Sequence, residues 1–151
     1  MTLSVISKEA GPVSARPPAH SMGEGQPLME FNNWIAPEMT ATHSINNAPD
    51  LDILFVPGGG GSGALYAMGE TWIEDFIASK YKDLEYLCSV CTGSGSLALS
   101  GVLNGKKATT NKSAYRDVLS INSEKNITWV PTARWVVDGN IWTSSGVAAG
   151  K

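Results

Sequence analysis

The sequence predicts an α/β fold built on a mostly parallel sheet. Two apolar runs, residues 51–56 (LDILFV) and 84–90 (LEYLCSV), have the composition of buried parallel strands. Each is followed by a turn of small residues and then by a helical pattern, and strands that alternate with helices are typical of doubly wound sheets. Ligands bind such sheets at the carboxyl ends of the strands. We therefore expect the functional site where these two runs end.

The N-terminal third carries weaker signals. Residues 2–7 (TLSVIS) indicate a short strand that Gly11-Pro12 ends. Proline, glycine and asparagine clusters then predict a long irregular segment up to about residue 50, in which residues 28–34 and 39–43 have the composition of short strands. A loop of this length is uncommon in a compact domain, so we expect part of it either to face the substrate or to be poorly ordered.

The remaining elements follow the first apolar run, which reads as a central parallel strand. Apolar residues at helical spacing predict one helix within 65–81, and the pattern after Cys91 predicts a second over 93–102. Asp138-Gly139-Asn140 is a hairpin turn signal. The other predictions are a strand at 107–110, a helix at 113–121 with Ser113 as its N-cap, and β segments at 127–131, 133–137 and 141–144.

Composition limits the function classes. A chain of 151 residues with 42% hydrophobic residues suits one domain, 1–151. The net charge of −3 offers no basic face for nucleic acid or an anionic membrane, so a small neutral molecule is the expected partner. No run reaches the roughly 18 apolar residues of a membrane span and no leader is evident, which predicts a cytoplasmic protein. Two cysteines and two histidines without metal-type spacing argue against metal.

Cys91 is the candidate nucleophile. It ends the second apolar run and is followed at once by Thr92, Gly93 and a helical pattern. A sharp strand-to-helix turn lifts one side chain above the sheet and needs small neighbours. Amide groups at a helix N-terminus favour the thiolate, which is the attacking form.

Other interpretations of the same segment are weaker. Cys88 lies earlier on the strand and is expected in the core, and a CxxC redox pair would have both cysteines on a helix. Ser94 and Ser96 do not fit the spacing of a serine-hydrolase elbow and are expected in the first helical turn. The glycine run 57–63 lacks the lysine of a phosphate-binding loop.

Five motifs, in order from residue 51 to the end of the chain, resemble the PfpI/ThiJ superfamily, which includes the parkinsonism-associated deglycase and intracellular proteases. The isonitrile hydratase branch is the most similar, because its elbow also reads Val-Cys-Thr-Gly. The motifs lie at residues 56–59 (VPGG), 90–93 (VCTG), 101–109 (GVLNGKKAT), 138–143 (DGNIWT) and 145–150 (SGVAAG).

This resemblance implies a flavodoxin-like (Rossmann-like) three-layer α/β sandwich, similar to class I glutamine amidotransferases, in a homodimer without a cofactor. It implies that Cys91 adds to an isonitrile and that water converts the adduct to an N-substituted formamide. Thr92 corresponds to the residue beside the nucleophile. Gly58 and Gly59 correspond to a turn whose N–H groups face the reacting atom, and a glycine turn suits that role.

The sequence departs from the family pattern in two ways. The family carries an acid on a preceding strand and helix, aspartate in the hydratases, and no acidic residue here occupies that motif. Relative to the family the chain is expected to be incomplete at both termini, with an exposed sheet edge, an exposed apolar surface and marginal stability as a monomer. Asn111 also stands near the position of a histidine in several branches, and asparagine cannot act as a base.

Three functional hypotheses follow from these residues. The first is an isonitrile hydratase-like enzyme. The second is a catalytically impaired or redox-responsive remnant in which Cys91 is readily oxidised. The third is a glyoxalase-like or deglycase-like activity on 2-oxoaldehydes, against which Asn111 and the absent acid both count.

Overall fold

The computed structural model describes residues 2–16, 19–21, 28–29 and 35–147. The helices are α1 (Gly60–Ala67), α2 (Trp72–Lys80), α3 (Gly93–Leu99) and α4 (Tyr115–Ile121), with a short 3-10 helix at Tyr81–Asp83. The strands are β1 (Ile6–Ser7), β2 (Gly11–Ser14), β3 (His20–Ser21), β4 (Leu28–Met29), β5 (Glu38–Ala41), β6 (His43–Ser44), β7 (Ile53–Val56), β8 (Tyr86–Val90), β9 (Lys107–Ala108), β10 (Thr128–Trp129), β11 (Trp135–Asp138) and β12 (Ile141–Ser144).

A four-stranded sheet with the order β11-β12-β8-β7 organises the molecule. β7 and β12 both run parallel to β8, with Phe55 and Trp142 each opposite Cys88. β11 pairs with β12 in an antiparallel hairpin, in which Asp138 lies opposite Ile141. Gly139, at the first turn position, has φ 64°, which glycine adopts without steric cost. The predicted hairpin and the mostly parallel sheet are confirmed.

The N-terminal region contains short paired strands as well as irregular chain. β1 pairs in parallel with β6, and β2 pairs antiparallel with β5. The prediction that Gly11-Pro12 ends a strand is therefore wrong, because β2 begins at Gly11 and includes Pro12. Proline lacks an N–H group, but a strand with a single partner can place it on the unpaired side. The predicted strand at 28–34 lies outside the described residues after Met29, as does much of the predicted loop before residue 35.

β7 was predicted as a central strand, and this is wrong for the described residues. Among them it pairs only with β8, so it forms one edge of the four-stranded sheet. Its outward residues Ile53 and Phe55 are 44% and 66% exposed. Residues 51–56 place apolar side chains on both faces of the strand, but composition alone cannot tell which of those faces is covered by other parts of the protein.

The single helix predicted within 65–81 is two helices. α1 begins earlier, at Gly60, and ends at a Schellman motif in which the N–H of Glu70 donates to the carbonyl of Leu65 (2.9 Å) and that of Gly69 to Tyr66 (2.9 Å). Gly69 has φ 79°, the left-handed conformation that this motif requires. The continuous apolar spacing concealed this break.

The core lies between the sheet and α3. Leu87, Leu97 and Ile141 are fully or almost fully buried, and α3 packs against both β7 and β8. The core cluster is completed by Val56, Ile77, Leu84, Ala98, Leu103 and Ala108. Because α3 follows Cys91 directly, burial of this helix fixes the direction in which the elbow points.

The opposite face of the same sheet is largely exposed and apolar. Phe55, Cys88, Trp142 and Val137 lie in one row across all four strands, and Trp142 is 44% exposed. We call this row the outer sheet face. The described residues thus provide the sheet and the helical layer on its inner face, and they agree with the expected exposure of apolar surface.

Candidate active site

Cys91 lies at a strained turn between β8 and α3. Its φ of 60° is left-handed, a conformation that costs a non-glycine residue about 1–2 kcal/mol. Hydrogen bonds hold it there: its N–H donates to the carbonyl of Ser144 (3.0 Å), and its own carbonyl accepts from the hydroxyls of Ser94 and Thr110 (3.2 Å each). The side chain is partly exposed. The predicted order of strand, sharp turn and helix is present.

Three glycines allow this turn to form. A Cβ on Gly58 would lie 2.6 Å from the Cβ of Cys91, and one on Gly146 would lie 2.4 Å from the same atom. A Cβ on Gly93 would lie 2.3 Å from the carbonyl oxygen of Val56. Gly146 was not singled out in the sequence, because it reaches Cys91 only through the pairing of β12 with β8.

Thr92, in the turn after Cys91, is hydrogen-bonded to the glycine run 57–63. Its hydroxyl accepts a hydrogen bond from the N–H of Gly59 (2.9 Å) and lies 3.2 Å from the carbonyl oxygen of the same residue. Gly59 has φ 140°, outside the range that other residues favour. The N–H of Gly59 is thus engaged by Thr92, whereas the resemblance implied that it faces the reacting atom. This hydrogen bond links the glycine turn to the residue that follows Cys91.

Asn111 is the polar side chain in contact with the sulfur. Its Nδ2 donates to Sγ of Cys91 (3.2 Å) and to the carbonyl of Ser145 (3.4 Å). Its Oδ1 accepts from the N–H and the hydroxyl of Ser113 (2.9 and 2.6 Å) and from the N–H of Ala114 (3.0 Å). Three donors around Oδ1 fix the amide orientation, which leaves the NH₂ group toward sulfur.

This geometry corrects the predicted cap of α4. Ser113 is not the N-cap; Ala114 holds that position without a side-chain hydrogen bond. Asn111 instead accepts the amide hydrogens that precede the helix, a role that short polar side chains commonly take. The sequence had identified Asn111 only as a residue that cannot be a base. The asparagine before Lys-Ser-Ala was a local signal for the turn but gave no indication of the contact with sulfur.

Two cavities border the elbow. The larger, about 350 Å³, is lined by Asn111, Lys112, Ser113, Arg134, Ser145, Gly146 and Val147. The smaller, about 150 Å³, lies beside Thr92 and Gly59 between α1, α3 and α4. Cys91 itself lines neither cavity. Asn111, whose Nδ2 donates to Sγ of Cys91, lines the larger one and so connects that cavity to the sulfur.

Cys88 differs from Cys91 in its surroundings. It is partly exposed on the outer sheet face and is not the fully buried core residue that was predicted. Partial burial raises the pKa of the Cys88 thiol above its ordinary value. Its thiol is therefore less often ionised at neutral pH, which disfavours a nucleophilic role.

The remaining predicted residues lie near the site. Ser94 and Ser96 are buried in the first turns of α3, as predicted. The carbonyl of Ser144 accepts from the N–H of Cys91, and the carbonyl of Ser145 accepts from the side chain of Asn111. Within the described part of the chain, no cluster of three histidine, cysteine or acidic residues could hold a metal ion. No described helix is both long and apolar enough to cross a membrane.

Comparisons with known proteins show the family of this chain. The DJ-1/PfpI family model matches residues 29–151. The chain is 40% identical over 114 residues to an isonitrile hydratase of Pseudomonas putida, an alignment that covers 75% of this chain and 46% of that protein. The sequence prediction of this family and of its hydratase-like branch is thereby supported.

Solved structures extend the likeness to the fold. A THiJ/PfpI family protein from Pseudomonas syringae aligns with a TM-score of 0.69 at 26% identity, over 99% of this chain and 52% of that one. DJ-1 of Schizosaccharomyces pombe aligns with a TM-score of 0.56 at 23% identity, over 76% of this chain and 60% of that one, which shows the fold alone.

The chain spans about half the length of the hydratase and of the Pseudomonas syringae protein. The α/β fold, the matched residues and the identity to the hydratase lead to one conclusion. The chain belongs to the DJ-1/PfpI family.

Proposed function

We propose that this chain is an isonitrile hydratase-like enzyme that uses Cys91 as its nucleophile and needs no cofactor. One observation carries the proposal: Cys91 is held at φ 60° on the strand-to-helix turn, partly exposed, with an amide donor 3.2 Å from its sulfur. The 40% identity to a protein named isonitrile hydratase supports the choice of reaction.

The proposed reaction consumes one water molecule. The thiolate forms a C–S bond with the terminal isonitrile carbon, and that carbon takes a proton from water to give a thioimidate. The hydroxide that remains adds to the same carbon. Its proton moves to nitrogen as the C–S bond breaks, which releases the N-substituted formamide and restores the thiolate. Splitting one difficult addition into two easier steps is the usual advantage of a covalent nucleophile.

Four residues support Cys91 in this proposal. Asn111 donates to the sulfur, and a thiolate accepts such a bond more strongly than a thiol. Thr92 and Gly59 are hydrogen-bonded to each other and hold the turn next to the reacting atom. Gly58 lets that turn approach the cysteine, because any side chain there would overlap Cys91. In this scheme water supplies the proton, and the described lining of the larger cavity contains no acidic residue that would do so instead.

The proposal also includes the working state of the protein. A thiolate nucleophile requires reduced cysteines, so the proposal includes the expected cytoplasmic location. The expected homodimer is supported by the apolar outer sheet face, since surfaces of this kind mark contacts between chains.

The test is direct. The protein is incubated with cyclohexyl isonitrile, and N-cyclohexylformamide is measured by mass spectrometry. We expect product from the unchanged protein and from Cys88→Ala, and none above the uncatalysed rate from Cys91→Ala. Equal product from Cys91→Ala, or none from folded unchanged protein, would overturn the proposal.

A peroxide-responsive thiol is the second candidate, favoured by the partial exposure of Cys91. Peroxide titration followed by intact mass would show oxidation at Cys91 ahead of Cys88. This candidate replaces the first if Cys91 oxidises readily while no formamide forms.

A further inference from the structure

The charged residues that line the larger cavity near Cys91 are both basic. Among its lining residues are two cations, Lys112 and Arg134, and no aspartate or glutamate. The chain as a whole has a net charge of −3, so the sign of this cavity opposes that of the molecule. Its volume of about 350 Å³ falls within the range of small-molecule sites.

The inner wall of this cavity adjoins the sulfur. Asn111 lines it and lies 3.2 Å from Sγ, and a Cβ built on Gly146 would lie 3.0 Å from Sγ. Lys112 follows Asn111 directly in the chain. The carbonyl of Arg134 accepts a hydrogen bond from the N–H of Ser145 (2.8 Å), which is another residue that lines the cavity. In the proposed reaction, a substituent that extends from Sγ past Asn111 enters the cavity that the two cations line.

The exposed side chain of Lys112 is anchored by one hydrogen bond at its ammonium. Its Nζ donates to Oγ1 of Thr109 (2.8 Å) and lies 5.9 Å from the centroid of the Tyr115 ring. Thr109 is fully buried, and its hydroxyl lies within hydrogen-bond distance of the carbonyls of Val130 (2.9 Å) and Ala133 (3.3 Å). An ammonium has three N–H donors, so those not used by Thr109 can serve a ligand.

We propose that Lys112 and Arg134 determine specificity by binding a carboxylate on the substituent of the substrate, so that the site selects isonitriles with an anionic group over neutral ones. This inference rests on the proposed function. It replaces the expectation of a wholly neutral substrate, because the reacting isonitrile group is uncharged while its substituent carries the charge. Fixed cations at a cavity wall attract an anion over its neutral analogue.

Alkylation of Cys91 tests the charge of the site without any isonitrile. Iodoacetate and iodoacetamide have nearly the same size and react identically, with sulfur forming a C–S bond as iodide leaves. Peptide mass spectrometry gives the rate at each cysteine, and Cys88 is the internal reference. We expect the iodoacetate-to-iodoacetamide rate ratio to be about tenfold higher at Cys91 than at Cys88 in low salt and to fall as salt rises.

Four variants test which cations cause the higher iodoacetate-to-iodoacetamide rate ratio at Cys91. Lys112→Met and Arg134→Gln are expected to lower the ratio at Cys91 severalfold, while Lys112→Arg retains most of it. Arg116→Gln removes an exposed cation of α4 that does not line the cavity, and the ratio should stay as in the unchanged protein. Equal ratios at the two cysteines, or a ratio that neither Lys112→Met nor Arg134→Gln lowers, overturn the inference.

A matched pair of isonitriles then separates the inference from the proposed function. The substrates are 4-isocyanobenzoate and its methyl ester. We expect a higher kcat/KM for the carboxylate, with the preference reduced in Lys112→Met. Hydration of the ester without preference for the carboxylate overturns the inference and retains the proposed function. Hydration of neither, together with preferential alkylation by iodoacetate, overturns the proposed function and leaves an anion-selective thiol site.

Discussion

Nδ2 of Asn111 lies 3.2 Å from Sγ of Cys91, and Oδ1 of the same amide accepts three hydrogen bonds from Ser113 and Ala114. One side chain therefore both organises the chain before α4 and provides a donor to the sulfur. The two roles are carried by different atoms, so substitutions can separate them.

Asn111→Asp keeps an oxygen in the Oδ1 position but replaces the donor with a second oxygen and adds a negative charge beside the sulfur. We expect alkylation of Cys91 by iodoacetamide to slow about tenfold, because the thiolate loses a hydrogen bond and gains a repulsion. The melting temperature should change little. Asn111→Ala loses both roles and should also lower the unfolding free energy by about 1 kcal/mol. Alkylation of Asn111→Asp at the unchanged rate would refute a role for the donor.

Gly146→Ala should disable the elbow. The added Cβ would lie 2.4 Å from the Cβ of Cys91, so the turn must shift. Gly105→Ala is the matched control, because Gly105 has a similar φ (76° against 71°) and its Cβ would meet nothing within 4 Å. Both substitutions should cost about 1 kcal/mol from the left-handed backbone. Only Gly146→Ala should lose a further 1–3 kcal/mol or so in urea unfolding, together with Cys91 reactivity. Equal losses in both variants would contradict the packing argument.

Glu74 should make stability depend on pH. It is 5% exposed on α2, and its Oε1 has no hydrogen-bond partner among the described residues. Burial raises the pKa of Glu74 above its ordinary value of 4.5, and a hydrogen bond with Ser96 opposes that shift in part. Between the unfolded and the folded pKa of Glu74, the folded chain binds more protons than the unfolded chain. Stability therefore falls as pH rises from about 4.5 through the folded pKa.

Glu74→Gln removes this titration while it keeps the shape of the side chain. We expect the variant to be more stable than the unchanged protein above the folded pKa of Glu74, with the difference disappearing toward pH 4.5. Urea unfolding across that range measures the difference. Glu85→Gln, at an exposed position beyond α2, controls for general loss of negative charge. A difference that does not vary with pH would disprove the assignment.

The outer sheet face should govern self-association. Phe55 and Trp142 flank Cys88 from the two neighbouring strands, and both are well exposed. Phe55→Thr combined with Trp142→Thr should lower the average mass in light scattering and reduce binding of a hydrophobic dye. Met68→Thr changes an exposed apolar residue away from the sheet and should do neither. Unchanged scattering from the double variant would exclude this face as the contact.

The sequence predicted the elements whose signals are local. The hairpin at Gly139 follows from three adjacent residues, and the turn at Cys91 follows from the small residues after a strand. The break at Gly69 was missed, because apolar residues continued at helical spacing on both sides of it. The position of β7 was misjudged, since burial of a strand depends on neighbours that its own residues do not specify.

The sequence by itself determined the fold class and the family and singled out Cys91 as the candidate nucleophile, because strand and helix periodicity and the Val-Cys-Thr-Gly elbow are carried by contiguous residues. The tertiary structure decided what surrounds that nucleophile. Asn111, Lys112, Arg134 and Gly146 reach the site from segments 20 to 55 residues further along the chain. Only the pairing of β12 with β8 and the packing of α4 against α3 bring them to one place. No local pattern encodes such contacts, since they depend on which strands become neighbours in the folded sheet.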